Sequence, residues 1–327
     1  MPIACHPFVT NCDFDIHPSD PTDQTAKIQA AFDTAISECV PLWFQAGVYL
    51  ATQLTVPRGL RLVGAGMGGA VNTKGTVFMQ PKDFDGSLFV NAALPASEWQ
   101  HWTQFEHIHL AKEAGGIATQ GHGIDISNPI GEGFRFYDVM VEGFPQSGVR
   151  LRRGGTPMWI SDLHLFRNGE YGLDLAKGGG DRAHCLSIER ISGDDNAKAL
   201  IRLKTFGDLS EHVSIKHIKS EAHSAGRQPY VIELENIYQI NVDIEHIGGM
   251  LSSAATPTAD ALVRIVGDFT GSVNMRSTYI PGYKAALRDH RTNADAVEQG
   301  RIHPMLIAAE SWSFPNLYGS RQRGGGL

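Results

Sequence analysis

A short apolar phrase returns along the middle of this 327-residue chain: GIDIS from Gly123, GVRLR from Gly148, GLDLA from Gly172, ALIRLK from Ala199, YVIELE from Tyr230 and ALVRIV from Ala261. Successive copies stand 24 to 31 residues apart, counted from Ile124, Val149, Leu173, Ile201, Ile232 and Val263. Each copy reads as a strand, and a strand-based repeat of this length predicts a solenoid whose coils stack on one another. Alternation sends Ile124 and Ile126, or Val149 and Leu151, inward and the residue between them out to solvent. That outward column is Asp125, Arg150, Asp174, Arg202, Glu233 and Arg264, with the sign of charge alternating at every step. Parallel strands about 4.8 Å apart bring opposite charges together, so the column supports the register. It reads as a ladder of exposed ion pairs rather than an active site.

A second phrase follows with a different spacing: FEHIHL, FYDVMV, ISDLHL, LSIERIS, SIKHIKS and DIEHIGG. Its inward residues are three apart, as in Phe105 and Ile108, Phe136 and Val139, or Ile160 and Leu163, with two polar residues between them. A straight strand does not do this, so the spacing predicts a corner between two sheets, with both middle residues pushed outward.

Ahead of the repeat, Ile28, Ala31, Phe32, Ala35 and Ile36 form one stripe of an amphipathic helix, with Asp23 or Thr25 as its cap. Short apolar strands follow, broken by Gly47, Pro57, Gly59, Gly64 and Gly66. The order Asp23, Thr25, Ile28, Gln29, Ala31, Asp33, Ala35, then Gln45-Ala46-Gly47-Val48-Tyr49, then Val63-Gly64-Ala65-Gly66 resembles the amino-terminal pattern of pectate-lyase-like β-helices. The likeness is greatest to those of bacteriophage tailspikes and depolymerases. It implies an all-β fold, a single-stranded right-handed parallel β-helix with an N-terminal capping α-helix. The expected division is an N-terminal segment and capping helix over 1–42, the β-helix over 43–282, and a C-terminal cap and tail over 283–327. At about 25 to 30 residues per turn this gives eight or nine coils, a rod about 40 Å long. A helix at the open end would cover apolar core and unpaired strand edge.

The fold leaves the reaction open, so function is sought among the outward residues. The corner phrases align His107, Asp138, Asp162, Arg190, His217 and His246 in one column, and Glu106, Tyr137, Ser161, Glu189, Lys216 and Glu245 in its neighbour. Asp138 and Asp162 on adjacent rungs are expected to repel, raising one pKa as acid/base chemistry on a sugar requires. His164 stands two residues beyond Asp162, and Arg190 on the next rung offers a fork for a uronate carboxylate. Glycoside hydrolysis asks for two carboxyl groups, whereas elimination asks for a base and a cation beside the uronate. Asp138, Asp162, His164 and Arg190 serve either scheme as catalytic candidates, and the adjacent acids Asp194 and Asp195 form a second pair. Tyr137, Trp159 and Glu189 are candidates for substrate binding. Trp99, Trp102 and Tyr171 are further aromatic residues suited to stacking on sugar rings.

The polygalacturonase set of N-T-D, D-D, G-H-G and R-I-K is not reproduced in order. Trp159-Ile160-Ser161-Asp162-Leu163-His164 is only an interrupted version of the pectate-lyase W-I-D-H. His107, His109 and His164 could approach one another across rungs, and a metal site there would need all three to converge with set geometry; no metal is expected. No cofactor is expected, although Asp138 and Asp162 together would suit Ca²⁺.

The reading is a carbohydrate-active β-helix, a hydrolase or lyase on a bacterial surface or acidic polysaccharide. The alternative is a non-catalytic virion, decoration or glycan-binding protein. A net charge of −7 without a basic stripe disfavours nucleic acid as a partner. No run of 18 apolar residues spans a membrane, and the opening MPIACHPFVTNCDFDIHPSD lacks the basic end and apolar stretch of a signal peptide. The expected setting is a virion or the extracellular space, with polysaccharide or another virion protein as partner and a homotrimer as the assembly. Cys5, Cys12, Cys39 and Cys185 are too few for a disulfide framework. After Gly282 the rhythm fades, and Trp312 and Phe314 are candidates for contact with a neighbouring subunit.

Overall fold

The computed structural model describes residues 8–68, 74–94, 100–128, 130, 133–151, 158–176, 185–206, 211–256, 258–278, 280–292, 307–309 and 318–319. Trp99, Cys5, Trp312 and Phe314 lie outside them. Among the described residues every strand pairing is parallel, and the chain winds into a right-handed β-solenoid of about eight turns with one short α-helix. Each coil carries three faces. Arg61–Val63 and Thr76–Gln80 are separate strands, yet both pair with Gln104–Lys112, one with its first half and one with its second. The long strand is therefore two faces joined at a bend. The third face is the GIDIS phrase, where Ile124–Ile126, Val149–Leu151, Leu173–Ala176 and Ala199–Phe206 stack in register.

The bend has one cause repeated on successive coils. His107, Asp138, Asp162, Arg190, His217 and His246 all adopt the left-handed backbone conformation, with φ between 54° and 56°. One residue in that region turns the strand and swings its side chain outward, which explains the three-residue apolar spacing. Asp and His enter this region more readily than most residues, and five of the six are of those types.

The core runs along the axis. Phe44, Phe78, Phe89, Phe105 and Phe136 form a chain of ring contacts at 5.0–5.7 Å, ending in a stacked Phe105–Phe136 pair. A polar ladder is also fully buried. Asn168 Nδ2 donates to Asn196 Oδ1 at 3.0 Å, and Asn196 Nδ2 donates to Gln228 Oε1 at 3.0 Å. The same amides serve backbone carbonyls of Val141 and Leu165, so the turn they line keeps its polar groups satisfied.

The helix Thr25–Ser37 lays Ile28, Ala31, Phe32 and Ala35 on the first coil, and Phe32 meets Phe89 edge-on. Its N-cap position is Gln24, whose side chain caps nothing; the Asp23 carboxylate instead accepts from the Thr25 backbone N–H at 2.9 Å. Pairing begins before the helix, where Val9–Thr10 joins Leu42–Trp43. It also runs past Gly282, with Ala285–Arg291 on Ala261–Thr278 and Tyr318–Gly319 on Ala285–Arg291.

The charge ladder on the third face is present, but part of it is not exposed as expected. Arg150 pairs with Asp125, Arg202 with Asp174 in a two-bond fork, and Arg264 with Glu233. Asp174 and Glu233 are only 2% and 5% exposed. Tyr171 accounts for part of this, its ring under the Arg202 guanidinium at 4.2 Å and its hydroxyl donating to Glu233 at 2.8 Å. The alternation stops at Arg264, which faces Arg288; Arg288 turns instead to Asp260.

Candidate functional site

The outer face of the strands preceding the bend carries a groove of about 640 Å³. It is lined by residues from successive coils: Arg61, then Gln104 and Glu106, then Arg135 and Tyr137, then Trp159, Ser161 and Asp162, then Glu189 and Arg190. A second hollow of about 420 Å³, containing Trp102, shares Arg61 and Gln104 with it and reaches the capping helix at Ala35 and Ile36. Outward alternation places these side chains on the surface, as at Arg135 and Tyr137, which flank buried Phe136. Tyr137 and Trp159 are 53% and 52% exposed, unusual for rings of this size.

The acids in the groove are all engaged. Glu106 receives a two-bond fork from Arg61 at 2.8 and 3.3 Å. Asp162 receives one from Arg190 at 2.7 and 2.9 Å, together with the Ser161 hydroxyl at 2.9 Å. Arg190 also reaches Glu189 at 2.9 Å. Among the described residues Arg135 alone of the groove's arginines has no acidic partner.

Of the sequence candidates, the groove gathers Tyr137, Trp159, Asp162, Glu189 and Arg190. Asp138 stands in the bend column beside it, with His107 Nδ1 at 2.9 Å from its carboxylate; the His107 ring meets Tyr137 edge-on at 5.0 Å. The expected mutual repulsion of Asp138 and Asp162 gives way to separate partners. The Arg190 fork holds the Asp162 carboxyl below the usual carboxylate range, the opposite of a raised acid.

His164 lies around the bend on the next face, where its Nδ1 is 2.6 Å from the Ser192 hydroxyl and burial lowers its pKa. Asp194 is on that same face. Burial, and then the charge of Asp195, raise its carboxyl. Burial acts to raise Asp195 too, but hydrogen bonds from the Ser224 hydroxyl and the backbone of His223 and Ser224 prevail and hold it low. Asp195 thus anchors a turn. His109 is buried with its Nε2 3.2 Å from Glu142, so the three histidines weighed for a metal have three different neighbours. Among the described residues no group of three or more His, Cys, Asp or Glu side chains is placed to hold a metal ion. The oxygens of Asp138 and Asp162, the pair suited to Ca²⁺, face His107 and Arg190.

Sequence reasoning missed Arg61, Gln104 and Arg135. Their signal was the position just before a buried inward residue, Leu62, Phe105 or Phe136, where an outward residue stacks on the same face.

Fold and groove together define a class: a right-handed parallel β-helix bearing an aromatic and charged groove on one outer face. No protein-family model and no curated protein matches the chain. Among solved structures it is similar to ORF18 of Geobacillus virus E2, at 14% identity and TM-score 0.62, covering 93% of this chain and 61% of that one. It is also similar to Pantoea stewartii WceF, described as a glycan biofilm modifying enzyme with a bacteriophage tailspike-like parallel β-helix fold. There the identity is 9% and the TM-score 0.52, covering 96% of this chain and 43% of that one. The chain spans less than two thirds of either protein, and at these identities the likeness shows the fold. Among the described residues no helix is long and apolar enough to cross a membrane.

Proposed function

We propose that the protein recognises a polysaccharide in the groove of Tyr137, Trp159, Asp162, Glu189 and Arg190. The observation that carries this is the pair of half-exposed rings in a concave, otherwise polar groove. Their flat faces suit the apolar faces of sugar rings, while fixed carboxylates and guanidinia offer acceptors and donors to sugar hydroxyls. The viral origin of one structural neighbour and the glycan-modifying description of the other support a virion or extracellular setting. A trimer, as expected from the sequence resemblance, belongs to the same reading.

Cleavage by hydrolysis or elimination is the second reading, favoured by three carboxylates, those of Glu106, Asp162 and Glu189, lining one groove. The low pKa of Asp162 suits it to remain ionised, as base or electrostatic stabiliser, rather than to act as general acid.

Binding to a panel of bacterial capsular and extracellular polysaccharides tests the first reading. Wild type is expected to bind at least one polymer, and Trp159→Ala and Tyr137→Ala each to weaken that binding at least tenfold with melting temperature unchanged. A folded wild type that binds none of the panel, or variants that bind as wild type does, would overturn it. Release of reducing ends, or of an unsaturated product, that is lost in Asp162→Asn would establish cleavage at this groove.

A further inference from the structure

Resting on that reading, we infer that the polysaccharide is anionic, that it lies along the rod axis, and that Arg135 takes its negatively charged group. The axial direction comes from the lining. Arg61, Glu106, Tyr137, Ser161 and Glu189 belong to five successive coils. Four steps at about 4.8 Å make the groove roughly 19 Å long. That length accommodates a run of sugars rather than one.

The charge follows from counting partners. The groove holds three arginines, Arg61, Arg135 and Arg190, and three acids, Glu106, Asp162 and Glu189. Arg61 is committed to Glu106, and Arg190 to both Asp162 and Glu189. All three acids are thereby hydrogen-bonded to two arginines, and Arg135 stands without an acidic partner among the described residues. It is exposed on the strand Arg135–Glu142, in register with Gln104, two residues from Tyr137 and on the same side of the strand. A guanidinium so placed forms a two-bond fork with a carboxylate or phosphate oxygen pair. Arg190, the cation that the sequence offered for a uronate, is already spent on Asp162 and Glu189.

The test compares an acidic polysaccharide that binds wild type with the same polymer after chemical reduction of its carboxylates to alcohols. Wild type is expected to bind the acidic form at least tenfold more tightly, and its affinity for that form to fall as salt rises. Arg135→Gln, on an exposed side chain and checked by its melting curve, is expected to bind both forms alike, at about the wild-type affinity for the reduced form. Equal binding of both forms by wild type, or an unchanged preference in Arg135→Gln, would overturn the inference. Either result leaves groove recognition standing, since that reading fails only when Trp159→Ala and Tyr137→Ala leave binding intact or wild type binds no polymer.

Discussion

At the scale of single residues, partners decide what a side chain does. Asp162 and Asp194 are chemically alike, yet the Arg190 fork lowers one and burial raises the other. Composition and spacing locate such acids but do not show which neighbour a side chain turns to, and this is why the Asp138–Asp162 dyad was legible as a pair of positions and not as a pair of partners. His122 is a sharper case. It is 1% exposed, its Nδ1 accepts from the Ser147 backbone N–H at 3.0 Å, and burial pushes its pKa down to about 4. An unfolded histidine titrates near 6.5, so between about 6.5 and 4 the unfolded chain binds the extra proton. Stability contributed by neutral His122 is therefore full above about pH 6.5 and declines as pH falls toward 4, by up to about 3 kcal/mol. Denaturant unfolding across this range is expected to show that loss, and His122→Asn, which keeps an acceptor without the titration, to remove much of the slope.

At the scale of elements, the bend is the feature that organises the coil. Its spacing was readable in Phe105/Ile108 and Phe136/Val139, because a strand cannot place inward residues three apart without turning. Its mechanism was not, since no spacing says which of two middle residues takes the left-handed conformation. The structure assigns it to the second, His107 through His246. A β-branched residue tolerates that conformation poorly, whereas Asn adopts it readily. His246→Val is thus expected to cost about 1–2 kcal/mol and His246→Asn well under 1 kcal/mol, measured by chemical denaturation. The buried ladder of Asn168, Asn196 and Gln228 was likewise invisible in the sequence. It sits in turns outside the repeated phrases, where apolar alternation carries no information.

At the scale of the whole molecule, the rod reads plainly from its repeat because each coil meets mainly its two neighbours. The groove is a product of stacking and needs several coils at once, so individual members such as Arg135 stayed hidden until register was known. Net charge adds a separate effect. At −7, the chain repels a polyanion at long range, although Arg135 attracts it at contact. Raising ionic strength from about 0.01 to 0.1 M shortens the screening length from about 30 to 10 Å, and is expected to speed association with an acidic polymer while also speeding its release. Stopped-flow or surface-based kinetics over that range separates the two rates. The bend column carries a different implication. Its seven described positions, from His107 to Ser277, demand one backbone shape but hold His, Asp, Asp, Arg, His, His and Ser. Substitutions along this edge alter surface chemistry without disturbing the phenylalanine core, so descent with modification has a line of positions on which new specificities arise while the scaffold is inherited intact.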